Sequence, residues 1–474
     1  VSDEIQFASH SYRHDSLPVS AQRCVNAYAE KQPRDAKAPI PVFGAPGISE
    51  FITVGRGPIR GLHEMNGIGY TVSRNEFYSF DADGNQQLLG AGITGISPVS
   101  IDGNGTQVAI TNGTNGFIYN SSTATFSQIS DPDFNEANTV AFIDGYFAYD
   151  WKGFNKFFLS DLLDGTTYPA LSFASAESKP DRVLATWSRD GLLLIFGEKT
   201  IEPWDHTGAS NFPFQRIKGA TVDRGVIAPL AICSEDTAKF FLGNDRVFYR
   251  MDGLRPLRIS THAIERHWET FSTIDDAFCF TVSFGGHKFI YVVFPTAGET
   301  WGCDIATDYR WHERQSYDDR GEEIRWRANC AVSAFNKYQL IGDANSGRIG
   351  KIDPTVYTEF GDPIVMSLTS PPLHGGGKLV FMPEFYLDME MGVGLATGQG
   401  SDPQVMLDMS DDGGETFSYP QQWRTLGAIG DRMQRLRWTS LGSFYQRVLR
   451  VTVSDNVKKV VIAARTPGIN TGVG

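Results

Sequence analysis

The chain predicts an all-β protein: a β-propeller of six or seven four-stranded blades, with an extended N-terminal arm and a C-terminal antiparallel β-sandwich-like domain. Three observations carry that expectation. Short runs of alternating apolar and polar residues fill the sequence from Ile59 onward, and turn pairs such as Asn66-Gly67, Asp144-Gly145 and Gly285-Gly286 separate them. The runs cluster into units that restart roughly every 40–50 residues, the period of four-stranded propeller blades. The composition agrees, with 49 Gly and 32 Phe but only 20% charged residues in 474. Abundant turn residues and aromatics suit short strands better than long helices.

Residues 1–50 form the arm. Pro18, Pro33, Pro39, Pro41 and Pro46 interrupt any long period. The segment is therefore expected to lie extended along another surface, of this chain or of a neighbour, with a short helix around Ala21–Glu30. Docking on a neighbouring subunit is the more specific expectation. Residues 51–360 form the propeller, in units starting at Ile59, Ser97, Asn138, Arg182, Ala228, Ala277 and, more weakly, Asn329. No WD or kelch signature repeats, so period and strand count alone support it. Past Gly361 the period breaks, and residues 361–474 carry longer alternating strands that read as a separate sandwich. Between 424 and 459, Arg424, Arg432, Arg435, Arg437, Arg447, Arg450, Lys458 and Lys459 are opposed only by Asp431 and Asp455. This stretch reads as solvated strand faces whose Arg stems cover apolar surface, or as a meeting place for an acidic partner or DNA.

Composition removes several function classes. A formal net charge of −13 argues against broad affinity for a phosphate backbone. Cys24, Cys233, Cys279, Cys303 and Cys330 lie far apart with no CxxC pair, as free thiols made in a reducing cytosol would. Without clustered ligands no metal is expected, and His10 with His14 reads as a pair of exposed polar side chains. Neither a phosphate-cradling glycine loop nor a Gly-x-Ser-x-Gly elbow is present, so no cofactor and no catalytic residue are assigned. No apolar run approaches the ~20 residues of a membrane span, and the opening VSDEIQFASHSYRHD is too polar for a signal peptide.

One motif stands out. Ser410, Asp412, Gly414, Thr416 and Phe417 spell the Ser-x-Asp-x-Gly-x-Thr-aromatic pattern of an Asp-box hairpin. Asp412 is placed to fold its carboxylate onto nearby backbone N–H groups, Gly413-Gly414 supply positive φ, and Phe417 pins the hairpin on a β core. The box is a turn-forming device and assigns no chemistry. Asp boxes are familiar in sialidases, which makes a carbohydrate-active propeller, either a glycosidase or a glycan-binding tail protein, the alternative. Two departures weigh against it. Gly57-Pro58-Ile59-Arg60 has the wrong order for the carboxylate-gripping arginine motif, and the single box lies beyond the repeats.

Three separated stretches resemble the tail hub family of short-tailed (podovirus) bacteriophages, also called packaged-DNA stabilisation proteins. The first is Gln22-Arg23-Cys24-Val25-Asn26-Ala27-Tyr28-Ala29-Glu30 with the later Pro46-Gly47. The second runs from Ala176-Glu177-Ser178-Lys179-Pro180-Asp181 through Trp187-Ser188-Arg189-Asp190 to Phe196-Gly197-Glu198-Lys199-Thr200-Ile201-Glu202, with Thr207-Gly208-Ala209 beyond. The third is the boxed hairpin with Leu426-Gly427, Arg437-Trp438 and Leu441-Gly442. The resemblance implies a structural virion protein of the tail, made in the host bacterial cytoplasm and assembled as a homo-oligomeric, six-copy ring below the portal and its adaptor. Such a ring closes the DNA channel after packaging and anchors spikes, fibres or a needle. Double-stranded DNA passes through it without sequence-specific binding, and no membrane is involved. No catalytic residue carries over.

Overall fold

Among the described residues, seven four-stranded units follow one another around a ring that closes on itself. The computed structural model describes residues 2–5, 7–33, 35–189, 191–418, 422–467 and 470–471; Asp190 of the second sequence motif lies outside them. Among the described residues, the first strands of blades 1 to 7 are Ile59–Met65, Ser100–Gly103, Val140–Ile143, Val183–Arg189, Ile232–Glu235, Phe278–Phe284 and Ala328–Ala334. The first strand of blade 7 packs against that of blade 1, which closes the ring. The local chemistry is that of hairpins. Asp144 (φ 48°) and Gly145 (φ 92°) turn blade 3 between its first two strands, matching the right-handed strand twist with two positive φ values. Aromatic side chains glue neighbouring blades, as where Phe77 of blade 1 stacks 5.5 Å from Phe126 of blade 2.

Blade 7 is weak in sequence because it is assembled from both ends of the propeller. Its fourth strand is Gly47–Thr53, antiparallel to Arg348–Asp353. The boundary at residue 50 falls inside this strand. Gly47 is required by close approach: a Cβ there would stand 2.5 Å from the carbonyl oxygens of Val356 and Thr358.

The helix expected around Ala21–Glu30 does not form. Ala21–Val25 and Ala27–Ala29 are strands, because each finds an open sheet edge at a distance that local propensity cannot see. Ala21–Val25 lies between Arg310–Glu313 of blade 6, to which it is parallel, and Met366–Thr369, to which it is antiparallel. The blade-6 sheet therefore continues through the arm into the C-terminal region, making one eleven-stranded sheet that ends at Gln404–Ser410 and Gln422–Thr425. A second sheet joins Ala27–Ala29, Val42–Gly44, Val460–Pro467, Glu384–Met389 and Leu436–Thr439, with Ser2–Ile5 also on Val460–Pro467. The two sheets enclose a core in which arm residues Ile5, Cys24 and Val42 pack with Phe385, Trp438 and Val451. The arm is thus an integral part of its own chain's sandwich, and the expected clamp on a neighbour is not what these strands form. His262–Glu269 is the α-helix among the described residues, and no helix there is long and apolar enough to cross a membrane.

Candidate functional site at the arm junction

The place where arm, propeller and sandwich meet is built from the first sequence motif. Arg23 forks onto Glu313 of blade 6, with Nε 3.1 Å from each carboxylate oxygen and Nη2 2.5 Å from Oε2. Ser11 Oγ donates to the same carboxylate at 2.9 Å and accepts the Cys24 amide at 2.8 Å. Bidentate, charge-assisted bonds of this kind are strong and orientation-specific. They hold the Glu313 carboxyl below its usual range against the opposing effect of burial. Asn26 sits buried at φ 52°, a conformation that Asn tolerates better than most residues. Its Nδ2 donates to Val365 O at 2.9 Å, and its Oδ1 accepts from Gln315 N at 3.0 Å and Arg314 Nη1 at 3.3 Å. One amide side chain therefore ties arm, blade edge and the linker to the sandwich. Tyr28 packs edge-on against Phe289 (5.3 Å) and His287 (5.0 Å). Nδ1 of His287 shares a 2.7 Å hydrogen bond with Asp304, the largest cause of its raised pKa.

Behind this lies a fully buried ionic node. Arg314 and Glu359 are 1% and 3% exposed and 3.0 Å apart. Glu359 also accepts the Trp326 indole N–H at 2.7 Å and the Ser316 hydroxyl at 2.7 Å, while the Arg314 guanidinium stacks 4.5 Å from the Trp326 ring. Beside it Arg327 forks onto Asp343 at 2.9 Å through both Nε and Nη2, and reaches Asp362 at 2.5 Å. Lys459 closes the junction from the sandwich side, its Nζ donating to Ile364 O at 2.9 Å. It is only 5% exposed, and burial pushes its pKa down to about 8. Above that value the folded state binds fewer protons than the unfolded chain, so stability rises with pH between about 8 and 10.5. Lys459→Met is expected to remove this slope and, at pH 7, to melt at or above the wild-type temperature, because burial of the charge outweighs the Coulomb pull of Asp455 and an apolar chain of similar volume escapes that cost. Thermal melts at pH 7 and pH 10 check both halves.

The second motif is a lock within blade 4. Asp181 Oδ2 accepts the amides of Lys199 (2.8 Å) and Thr200 (3.0 Å), and Glu202 Oε1 accepts the amide of Ser178 at 2.7 Å. The entry segment of the blade is thereby tied to its own second hairpin. Arg60, the arginine of Gly57-Pro58-Ile59-Arg60, is buried and donates to the carbonyls of Ser97 (2.7 Å), Arg74 (2.7 Å), Ile93 (2.8 Å) and Thr94 (3.0 Å). With four of its five N–H donors held by backbone carbonyls in a buried site, it lacks the free bidentate fork that gripping a substrate carboxylate needs.

The Asp-box residues come together on the hairpin between Gln404–Ser410 and Gln422–Thr425. Asp412 accepts the Ser410 hydroxyl (2.5 Å), the Glu415 amide (3.0 Å), the Thr416 amide (3.0 Å) and the Thr416 hydroxyl. Ser410 Oγ in turn accepts the Gly414 amide at 2.8 Å. Gly413 and Gly414 have φ 89° and 105°. The ring of Phe417 lies under the Arg450 guanidinium at 3.9 Å and packs with Leu17, Ala21 and Val448, so the hairpin rests on the arm. These bonds hold the Asp412 carboxyl well below its ordinary 3.8, the Ser410 and Thr416 hydroxyls contributing first. The hairpin is expected to keep its full stability above pH ~4 and to lose it only as pH falls through the depressed value. Asp412→Ala should speed hydrogen exchange at the Glu415 and Thr416 amides at neutral pH while leaving global melting nearly unchanged.

Four of the eight basic residues in the stretch are paired, by carboxylates that sequence proximity did not reveal. Arg447 forks onto Asp411 (2.7 Å), Arg450 meets Asp408 (2.8 Å), Arg437 meets Glu384, and Lys458 meets Glu390 (2.8 Å). The partners lie across the sheet, where pairing register decides who meets whom.

Two family profiles match the chain: bacteriophage P22 Gp10, β-propeller, over residues 20–357, and bacteriophage P22 Gp10, β-sandwich, over residues 366–466. No curated protein matches significantly. Similar solved structures include the computationally designed Ika8 protein (13% identity, 64% of this chain and 99% of that one, TM-score 0.36). BamB from Moraxella catarrhalis (11%, 74% and 97%, 0.39) and the Neurospora crassa Pan2 WD40 domain (10%, 62% and 88%, 0.39) are others. At TM-scores this low, none of the three bears on the role of this chain. The two profiles cover arm, propeller and sandwich in order: the chain belongs to the bacteriophage P22 Gp10 family, the tail hub or packaged-DNA stabilisation proteins of podoviruses, and is a structural component of the virion tail, not an enzyme.

Proposed function

We propose that this chain is the subunit of a tail hub ring, in six copies, seated below the portal and its adaptor. There it closes the DNA channel once packaging ends and anchors distal parts: spikes, fibres or a needle. The observation that carries the reading is the continuous sheet from blade 6 through the arm into the sandwich. It makes propeller and sandwich one rigid brick, which supports a role in a ring that holds back packaged DNA. Sheet hydrogen bonds loaded side by side resist displacement collectively, and a closed propeller leaves few strand edges for unwanted pairing. The Asp-box residues Ser410, Asp412, Gly414, Thr416 and Phe417 act in this reading as a staple that holds the sandwich hairpin against the arm, and DNA passes without being read. The test is electron microscopy of the purified chain mixed with a portal–adaptor complex. Rings docked beneath the adaptor are expected, and monomers that never dock would overturn the reading.

A further inference from the structure

Two features of opposite charge are left unbalanced. One is a groove of about 500 Å³ on the sandwich, where Lys37, Arg432, Arg435 and Arg465 surround the carboxylate of Asp388. Asp388 lies 3.4 Å from both Lys37 and Arg465, while among the described residues Arg432 and Arg435 have no ion-pair partner. Between those two arginines Met433 is 91% exposed. The other feature is a two-stranded hairpin between blades 6 and 7, Gln315–Tyr317 with Glu323–Arg325, that belongs to no larger sheet. Its exposed tip carries Asp318, Asp319, Glu322 and Glu323 against Arg320 alone. The Asp318 carboxylate accepts the amides of Arg320 (2.9 Å) and Glu322 (2.8 Å), which gives the tip a fixed shape. The chain's acidity is concentrated in the propeller, and the C-terminal region is close to balanced. Residues 51–360 hold 38 Asp and Glu against 27 Lys and Arg, whereas residues 361–474 hold 11 against 10.

We infer that the acidic tip Asp318–Glu323 of one copy seats in the basic groove of the next copy around the ring. The inference rests on the proposed hub ring and names one of its contacts. Tip and groove are different surfaces of the same chain, so the contact is head-to-tail and repeats until a ring closes. Charge complementarity sets which surfaces meet and in what register. A protein segment suits the groove better than a nucleic acid, because Leu387, Met389 and Met391 form part of its wall.

The test uses the full chain in three forms: Asp319→Lys with Glu322→Lys, Arg432→Glu with Arg435→Glu, and all four changes together. Self-association is followed by sedimentation velocity and by electron microscopy with and without the portal–adaptor complex, at low and high salt. Each two-site variant is expected to weaken association about tenfold or more at low salt, with a smaller effect at high salt, and the four-site variant to restore it. All substituted residues are exposed, and recovery in the four-site variant excludes misfolding as the cause. Association unchanged in both two-site variants would overturn the contact and leave the ring standing. Absence of wild-type rings, on or off the adaptor, would overturn both. Loss of binding to a short DNA duplex by the groove variant, with ring formation intact, would assign the groove to DNA and overturn the inference.

Discussion

Replacing Glu359 by alanine will destabilise the protein by about 3–5 kcal/mol, the range for removing one member of a buried ion pair. The size of the effect comes from the groups left behind. The Arg314 guanidinium stays 1% exposed with its carboxylate gone, and the Trp326 indole and Ser316 hydroxyl each lose their acceptor. Unmet buried donors cost about 1–3 kcal/mol apiece before relaxation. Glu359→Gln keeps the shape and one acceptor, so it should cost less. Replacing both charges, as in Arg314→Met with Glu359→Leu, should cost less than Glu359→Ala alone, because no uncompensated charge is left. Urea unfolding followed by tryptophan fluorescence measures all three. A Glu359→Ala variant within about 1 kcal/mol of wild type would show that the node relaxes or takes up water.

Deleting residues 2–26 should have a larger and different effect: the sandwich will fail to form while most of the propeller survives. The deletion removes the strand between Arg310–Glu313 and Met366–Thr369 and takes Ile5, Ala8 and Cys24 from the sandwich core. Two sheet edges are then bare at once, the condition that invites edge-to-edge aggregation. Blade 7 keeps Gly47–Thr53 and can still close the ring. The expected outcome is aggregated protein in size-exclusion chromatography, whose soluble fraction keeps slow amide exchange in blades 1 to 5 but loses it after residue 361. A monomeric deletion variant with wild-type melting would contradict this account of the arm.

How much of the fold and site is legible in the sequence depends on how far apart the interacting residues lie. Strands, turn pairs and blade period are legible because each is decided within a few residues, and so is the Asp box, whose bonds run from Ser410 to Thr416. The junction is not. Arg23 and Glu313 are 290 positions apart, and neither carries a local mark of the other. Ala21–Glu30 suggests a helix because its true partners are sheet edges supplied by later sequence. Gly47 and Asn26 stand out as members of a familiar stretch, but their reasons, a carbonyl 2.5 Å from where a Cβ would be and a left-handed backbone at a three-way tie, belong to the folded state. The basic stretch misleads in the same way, its carboxylates lying on strands far away in sequence.

The threading of Ala21–Val25 between two later strands also sets a clock on biosynthesis. At about 5–20 residues per second, a chain that has just made Arg23 waits roughly 15–60 s for Glu313 to be translated, the two being 290 positions apart. The strand Met366–Thr369 comes later still. Throughout that interval blades 1 to 5 can form from contiguous sequence, while the arm has no edge to join. The sandwich is therefore the last part to form, and an interrupted chain lacks it altogether. Since the proposed groove is built from Lys37 together with Arg432, Arg435 and Arg465, a truncated product cannot present it. If the proposed contact builds the proposed ring, completion of synthesis and competence for it become a single event, and unfinished subunits stay out without any separate inspection step.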